Sequence, residues 1–395
     1  MPSSLDLKNL YRLPWSTYDN PTGWIEPTTY CQLACPGCYR GLDQPNPVRK
    51  NEDLKEQKEQ IDTLIKIRNI QTVAIAGGEP LLYPKLDKLI AYAQQKGLGV
   101  RIVTNGCLLT EKRLRELRNL GVTEVVIHVG QYQNRTKDEN SLYKLREYYC
   151  QMFRKVKGVD LQFVTTISKE NIDSLPKLLT FYKKNSDIVS HFIFTLYREV
   201  FQKLGQSTSK YVAKEKVARA IEKFYQIKPC AYLPKTLSPN SFGWLFYLAI
   251  LRGDKVLGSL DGKVAARIYK QYQLDKKTSF PINSAKISLK TAVGFILDSS
   301  ILKIISRYLI NTLKNPKNLL EPVTAQMIII IDPPMLTKKG WDICDGCPDA
   351  ILYDNSLVPT CTLEIIKQEK NVPRELYLSR QLPSTSAFSQ AHTSS

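Results

Sequence analysis

The chain has 395 residues, room for a full-sized α/β domain and at least one further module. Its 56 Lys and Arg outnumber 37 Asp and Glu, and the resulting charge of +19 speaks for non-specific attraction to anions, not for a nucleic-acid recognition motif, of which there is none. Six of the nine cysteines fall into two tight groups, which argues against a secretory disulfide framework. No charged start with an apolar h-region opens the chain, so a reducing cytoplasm is expected.

Residues 1–19 read as an N-terminal extension. Beyond them, apolar β-rich runs recur at Trp24–Tyr30, Thr72–Ala76, Val100–Thr104, Glu124–Val129, Leu161–Thr166 and His191–Leu196. Charged stretches of helical period separate them: Glu52–Asn69, Lys85–Gln95, Glu111–Leu120, Ser141–Val156 and Asp173–Lys184, with Lys210–Gln226 after the last. Six β-then-α units imply a parallel sheet with helices outside it, an α/β fold over 20–235. A closed barrel of this kind needs eight units, so six predict a partial (β/α)6 barrel. Chemistry in such barrels collects at the C-terminal ends of the strands.

Three motifs sit at those ends. After the first run comes Cys31-Gln-Leu-Ala-Cys35-Pro-Gly-Cys38-Tyr39, three thiols that can grip three irons of a cubane [4Fe–4S] cluster. Electron-transfer clusters normally take four cysteines, so the fourth iron is open to another molecule. A zinc knuckle is the alternative, although no fourth Cys or His lies nearby. After the second run comes Gly77-Gly78-Glu79-Pro80, where glycines permit close backbone approach and a carboxylate suits an ammonium group. The third run ends in Thr104-Asn105-Gly106, polar residues of a size for ribose hydroxyls.

In this order the three motifs resemble the radical S-adenosylmethionine (radical SAM) enzymes. The resemblance implies that Cys31, Cys35 and Cys38 hold a catalytic [4Fe–4S] cluster whose open iron is chelated by S-adenosyl-L-methionine. It further implies that Gly77, Gly78, Glu79 and Pro80 position the methionine end of that cofactor and that Thr104 and Asn105 meet its ribose. Tyr39 would contact the adenine through its backbone. One electron, from a donor such as a flavodoxin or ferredoxin, would cleave the sulfonium, and the resulting 5′-deoxyadenosyl radical would abstract hydrogen from an unactivated carbon. Many relatives carry a small residue and Leu-Asp-Gly after the fourth strand, whereas this chain reads His128-Val-Gly-Gln131. His128, Gln131 and, after the sixth run, Arg198 are candidate catalytic residues; Thr165 and Thr166 are further cleft candidates.

The segment 236–320 is basic and apolar. Phe242–Leu251 is apolar throughout and reads as a helix too short to span a bilayer. Ile301–Lys314 places Lys303, Arg307 and Lys314 on one helical face and Ile and Leu on the other. Such a helix suits either a solvated core element or a peripheral contact with an anionic membrane or amphiphile.

Cys344-Asp-Gly-Cys347 and Cys361, flanking a hairpin predicted at Ala350–Leu357, form a second metal-like group in a module over 321–375. A zinc ribbon is the alternative; a second, auxiliary [4Fe–4S] cluster suits a chain already carrying one. The module loosely resembles the SPASM/twitch type appended to many radical SAM enzymes, without its full seven-cysteine pattern. Cys230, Cys107, Cys150, water or substrate are the candidates for a fourth ligand. Residues 376–395 read as a disordered tail. A peptide to be matured is the favoured substrate, an apolar metabolite or lipid the alternative, and a non-catalytic iron–sulfur or zinc scaffold the reading from another class.

Overall fold

The computed structural model describes residues 5–136, 138–274, 299–314 and 321–368; the expected tail at 376–395 lies outside them. In chain order the elements are β1 (Tyr11–Arg12), β2 (Thr22–Ile25), α1 (Leu54–Arg68), β3 (Thr72–Ile75), α2 (Leu86–Gln95), β4 (Gly99–Thr104) and α3 (Glu111–Asn119). Then come β5 (Val122–His128), α4 (Glu139–Val156), β6 (Asp160–Ile167), α5 (Leu175–Lys184), β7 (Val189–Leu196) and α6 (Lys214–Tyr225). The chain continues through β8 (Ala231–Pro234), β9 (Phe242–Arg252), β10 (Lys255–Ser259), α7 (Gly262–Leu274) and α8 (Ser299–Lys314). It closes with β11 (Val323–Ile331), β12 (Met335–Thr337), β13 (Gly340–Asp342), β14 (Ala350–Tyr353), β15 (Ser356–Pro359) and α9 (Thr360–Gln368).

Strands β2 to β7 lie side by side in sequence order, every neighbour parallel. These are the six expected units. Past β7 the sheet goes on: β11 adds in parallel, β9 pairs with β11 antiparallel, β8 follows, and β1 closes the far edge. The sheet stays open between β1 and β2.

Alternation along each strand decides which layer a side chain joins. Val100 and Ile102 of β4, with Val73 and Ile75 of β3, face outward to Ile61, Leu64, Leu89 and Ile90 of α1 and α2. The opposite, inner face there carries small or flat groups (Trp24, Ala74, Ala76, Val103), and onto it pack Ile351, Val358 and Leu363 of the β14–β15–α9 module. The C-terminal module therefore plugs the inner face of the open barrel near β2 and β3.

The helix expected at Phe242–Leu251 is instead the long strand β9. Leu245, Tyr247, Ala249 and Leu251 join the main core on one face, while Trp244, Phe246 and Leu248 join a second cluster on the other. Burial on both faces explains an apolar run without alternation, and such a run does not distinguish a strand from a helix. The hairpin predicted at Ala350–Leu357 forms, as β14 and β15. The run Trp24–Tyr30 yields only a four-residue strand, because residues 28–30 leave the sheet to receive the loop after β3.

Candidate functional site at the strand ends

The loop after β3 docks on the segment leading into the first cysteine group. Gly78 N–H donates to Thr28 O (2.8 Å) and Glu79 N–H to Tyr30 O (2.7 Å). A Cβ on Gly77 would strike Thr28 O, and one on Gly78 would strike Tyr30 O. Gly77 also holds φ +113, a conformation that side chains rarely adopt. These glycines permit a close approach to the chain's own backbone.

Glu79 is fully buried. Its carboxylate accepts from Thr104 Oγ1 (2.6 Å), Leu81 N–H (3.0 Å) and Asn105 N–H (2.8 Å). Burial raises its pKa, and those three hydrogen bonds work against the rise. Thr104 Oγ1 in turn accepts from Gly106 N–H (2.9 Å). Asn105 Oδ1 accepts from Gln32 Nε2 (3.1 Å) and Cys107 N–H (2.9 Å), while its Nδ2 donates to Cys31 Sγ (3.6 Å). One hydrogen-bond network therefore joins all three motifs. It uses the Thr104 hydroxyl and the Asn105 amide internally, a use that their expected reach to a ribose did not include.

Cys31, Cys35 and Cys38 are partly exposed. Burial and repulsion from Cys38 and Cys31 push the Cys35 thiol up to about 12, so without a cation among them the ionisation of one sulfur disfavours that of the next. Leu33 N–H donates to Cys31 Sγ (3.4 Å), and the Arg40 and Leu42 amides favour the Cys38 thiolate. Crowded thiols with donors aimed at their sulfurs suit an iron–sulfur cluster, which fixes the thiolates and is tuned by such donors. Among the described residues no three His, Cys, Asp or Glu side chains close on a single-ion site; a cubane takes its thiolates at separate corners.

Two clamps hold this loop. Gly37, at φ +74, lies where a Cβ would meet Tyr197 Cε2 at 2.8 Å and Arg198 O at 3.0 Å. Arg40, buried, bridges Glu26 (3.0 Å) after β2 and Glu364 (2.6 Å) of α9. Tyr39 Oη donates to Glu26 Oε1 (2.9 Å) and approaches Gly77 O (3.3 Å). Composition and spacing gave no sign of Glu26, Arg40 or Glu364, because only the fold brings α9 to this loop.

The remaining candidates divide. His128 ends β5 with Nε2 3.2 Å from Thr166 Oγ1, and burial then nearby Arg146 lower its pKa to about 4. Thr165 Oγ1 donates to Val129 O (3.0 Å). Gln131 is exposed and donates to Glu139 (3.2 Å). Arg198 is turned from the cysteine loop toward Asp332 (2.7 Å), which also meets Lys214 (3.0 Å) and Lys235 (3.6 Å). Burial disfavours the Asp332 charge, but the three cations more than offset it and lower its pKa.

That cluster backs onto the second cysteine group. Cys344 Sγ approaches Asp332 O at 3.9 Å, and Lys235 is bridged to Cys344 through the backbone. Cys344 and Cys347 are buried; burial raises the pKa of all three thiols, and repulsion from Cys344 adds to the rise at Cys347 and Cys361. Gly346 makes the turn at φ +69, where a Cβ would strike Trp15 O at 2.2 Å. The Asp349 charge is felt at all three cysteines; burial raises its own pKa to about 6, and no described residue donates a hydrogen bond to its carboxylate. None of the three cysteines suggested as a fourth ligand joins them. Cys107 neighbours Cys31 and Cys35 at the other site, and Cys150 is a buried residue of α4 near Arg154 and Glu147. The Cys230 thiol is directed at Phe246 O (3.5 Å).

A family model described as the radical SAM superfamily matches residues 25–182. The chain carries a radical SAM domain over that span. The matched span runs from β2 into α5 and includes all three motifs. An AdoMet-dependent heme synthase of Methanosarcina barkeri is 27% identical over 177 residues, 43% of this chain and 49% of that protein. An Fe-coproporphyrin III synthase of the same organism is 26% identical over 159 residues, 38% of each. The chain thus spans about half or less of these curated relatives. Among solved structures, Streptococcus suis SuiB bound to S-adenosylmethionine is 18% identical, covers 53% of this chain and 48% of its own, and has a TM-score of 0.41. The radical SAM domain implies one [4Fe–4S] cluster and S-adenosylmethionine.

Proposed function

We propose that this chain is a two-cluster radical SAM enzyme that modifies an apolar small molecule. The observation that carries the first half is the Cys31–Asn105–Glu79–Thr104 network, which ties the three motifs into one framework at the strand ends. Cys31, Cys35 and Cys38 would hold the catalytic cluster, and the loops at 77–80 and 104–105 would frame the cofactor beside it. When bound, cluster and cofactor supply one-electron chemistry able to take hydrogen from an unactivated carbon. The chain's own part is to orient. Glu79 locks two loops in register, Asn105 donates to the Cys31 sulfur, and the Gly37 and Arg40 contacts fix the cysteine loop. An external donor such as a flavodoxin or ferredoxin would deliver the electron.

Cys344, Cys347 and Cys361 would hold the second cluster, with the Lys235 and Lys214 charges behind Cys344 favouring its thiolate. Asp349 is the fourth ligand in this reading, since its charge acts on all three cysteines and no described residue donates a hydrogen bond to its carboxylate. As for substrate, the named relatives are heme and Fe-coproporphyrin III synthases. They favour an apolar cofactor-like molecule and lend nothing to the peptide-maturation expectation.

Iron and sulfide counting tests the cluster assignment. Anaerobically reconstituted protein is expected to hold about eight irons and eight sulfides, one cubane per cysteine group. Alanine at Cys344, Cys347 and Cys361 should halve both. Full iron in that variant, or zinc in place of iron there, would refute the second cluster while leaving the first untouched.

A further inference from the structure

Helix α8 buries none of its residues. Five of the thirteen exposed large apolar side chains among the described residues lie on its four turns: Leu302, Ile305, Leu309, Ile310 and Leu313, the last 82% exposed. Scattered exposed apolar groups are ordinary, whereas a contiguous patch marks a contact surface.

The helix is not free to roll these residues inward. Ile304 occupies the space where a Cβ on Gly258 of β10 would stand, 2.8 Å from its Cγ1. Arg307 Nη1 donates to Leu257 O (3.1 Å), the Arg252 guanidinium stacks 3.5 Å over the Tyr308 ring, and Arg252 donates to Thr312 (2.7 Å). At about 100° per residue, these contacts point Leu302, Leu309 and Leu313 outward in one row with Ile310 beside them. Lys303 and Lys314, both exposed, follow along one flank. The sequence pattern suggested one apolar and one basic face. In the fold both faces are apolar, and Arg307 is spent on β10.

We infer that α8 seats this protein on an anionic lipid surface, the leucine row entering the headgroup–acyl boundary and Lys303 and Lys314 meeting lipid phosphates. Charge selects this occupant over a second copy of the chain. Two molecules each at +19 repel as they approach, whereas an anionic bilayer attracts them. An apolar row flanked by lysines on a helix lying flat is the make-up of interfacial helices. The contact is peripheral: no described helix is long and apolar enough to cross a membrane. This inference stands independently of the substrate proposed above.

The test is co-sedimentation of the full-length, cluster-loaded protein with vesicles of phosphatidylglycerol and phosphatidylcholine, or of phosphatidylcholine alone, at low and high salt. Expected is binding at least tenfold stronger to the anionic vesicles, fading with salt. Leu309→Ser with Leu313→Ser, which alters no charge, should cost tenfold or more, and Lys303→Gln with Lys314→Gln should remove the anionic preference. Circular dichroism and melting should be unchanged in both, since all four residues are exposed. Wild type that ignores anionic vesicles, or serine variants that bind as wild type does, would overturn the inference. So would a wild-type dimer that the serine pair dissociates in the absence of lipid binding.

Discussion

Glu79 accepts hydrogen bonds from donors in two different loops while wholly removed from water. A buried acceptor that loses its partners costs ~1–3 kcal/mol, and Glu79→Gln would turn an NH2 toward a donor that needs an acceptor. The variant is expected to lose about 2 kcal/mol of stability and to bind S-adenosylmethionine tenfold or more weakly, because the loops proposed to frame the cofactor part together. Denaturant unfolding beside a binding titration separates the roles. Weakened binding at unchanged stability would return Glu79 to a direct hold on the cofactor's ammonium. The motif was legible in the sequence because its residue types and order are unusual together. Its internal role was not, since no spacing rule says that Thr28 and Tyr30 carbonyls lie against Gly77 and Gly78.

Among the elements, α1 is tied to the C-terminal module by a single buried cation. Arg68 donates to the carbonyls of Cys347 (2.5 Å), Pro348 (3.0 Å) and Ala350 (3.3 Å). Burial lowers its pKa to about 10, still far above neutrality, so the charge persists through the physiological range. Hydrogen bonds from a charged donor contribute ~1.5–3 kcal/mol, and Arg68→Met would leave three carbonyls unanswered. Loss of about 3 kcal/mol is expected, together with faster hydrogen exchange over 344–361 while α4 and β6 stay protected. Uniform loosening of the whole chain would mean the module does not open as a unit. The six parallel units could be read from alternation because each strand is followed by a charged helix of clear period. The strand β9 could not, since both its faces are covered. Arg68 was equally invisible: on the sequence it is one more basic residue at a helix end, and only the packing of residues separated by 279 positions reveals its task.

At the scale of the whole molecule the two cysteine groups belong to one assembly. The first is clamped through Gly37 to Tyr197 and Arg198, and through Arg40 to Glu364 of α9. Arg198 reaches Asp332, whose carbonyl faces Cys344 of the second. A chain of contacts thus links the two groups, although the central claim concerns the first alone. Its most direct test is the reductive cleavage of S-adenosylmethionine by anaerobically reconstituted protein, read as 5′-deoxyadenosine formed per chain. Wild type should yield it with a strong one-electron reductant, and alanine at Cys31, Cys35 and Cys38 should abolish it. Alanine at Cys344, Cys347 and Cys361 should leave it measurable. Cleavage that survives loss of the first triad, or wild type that holds its iron and yields none, would contradict the assignment.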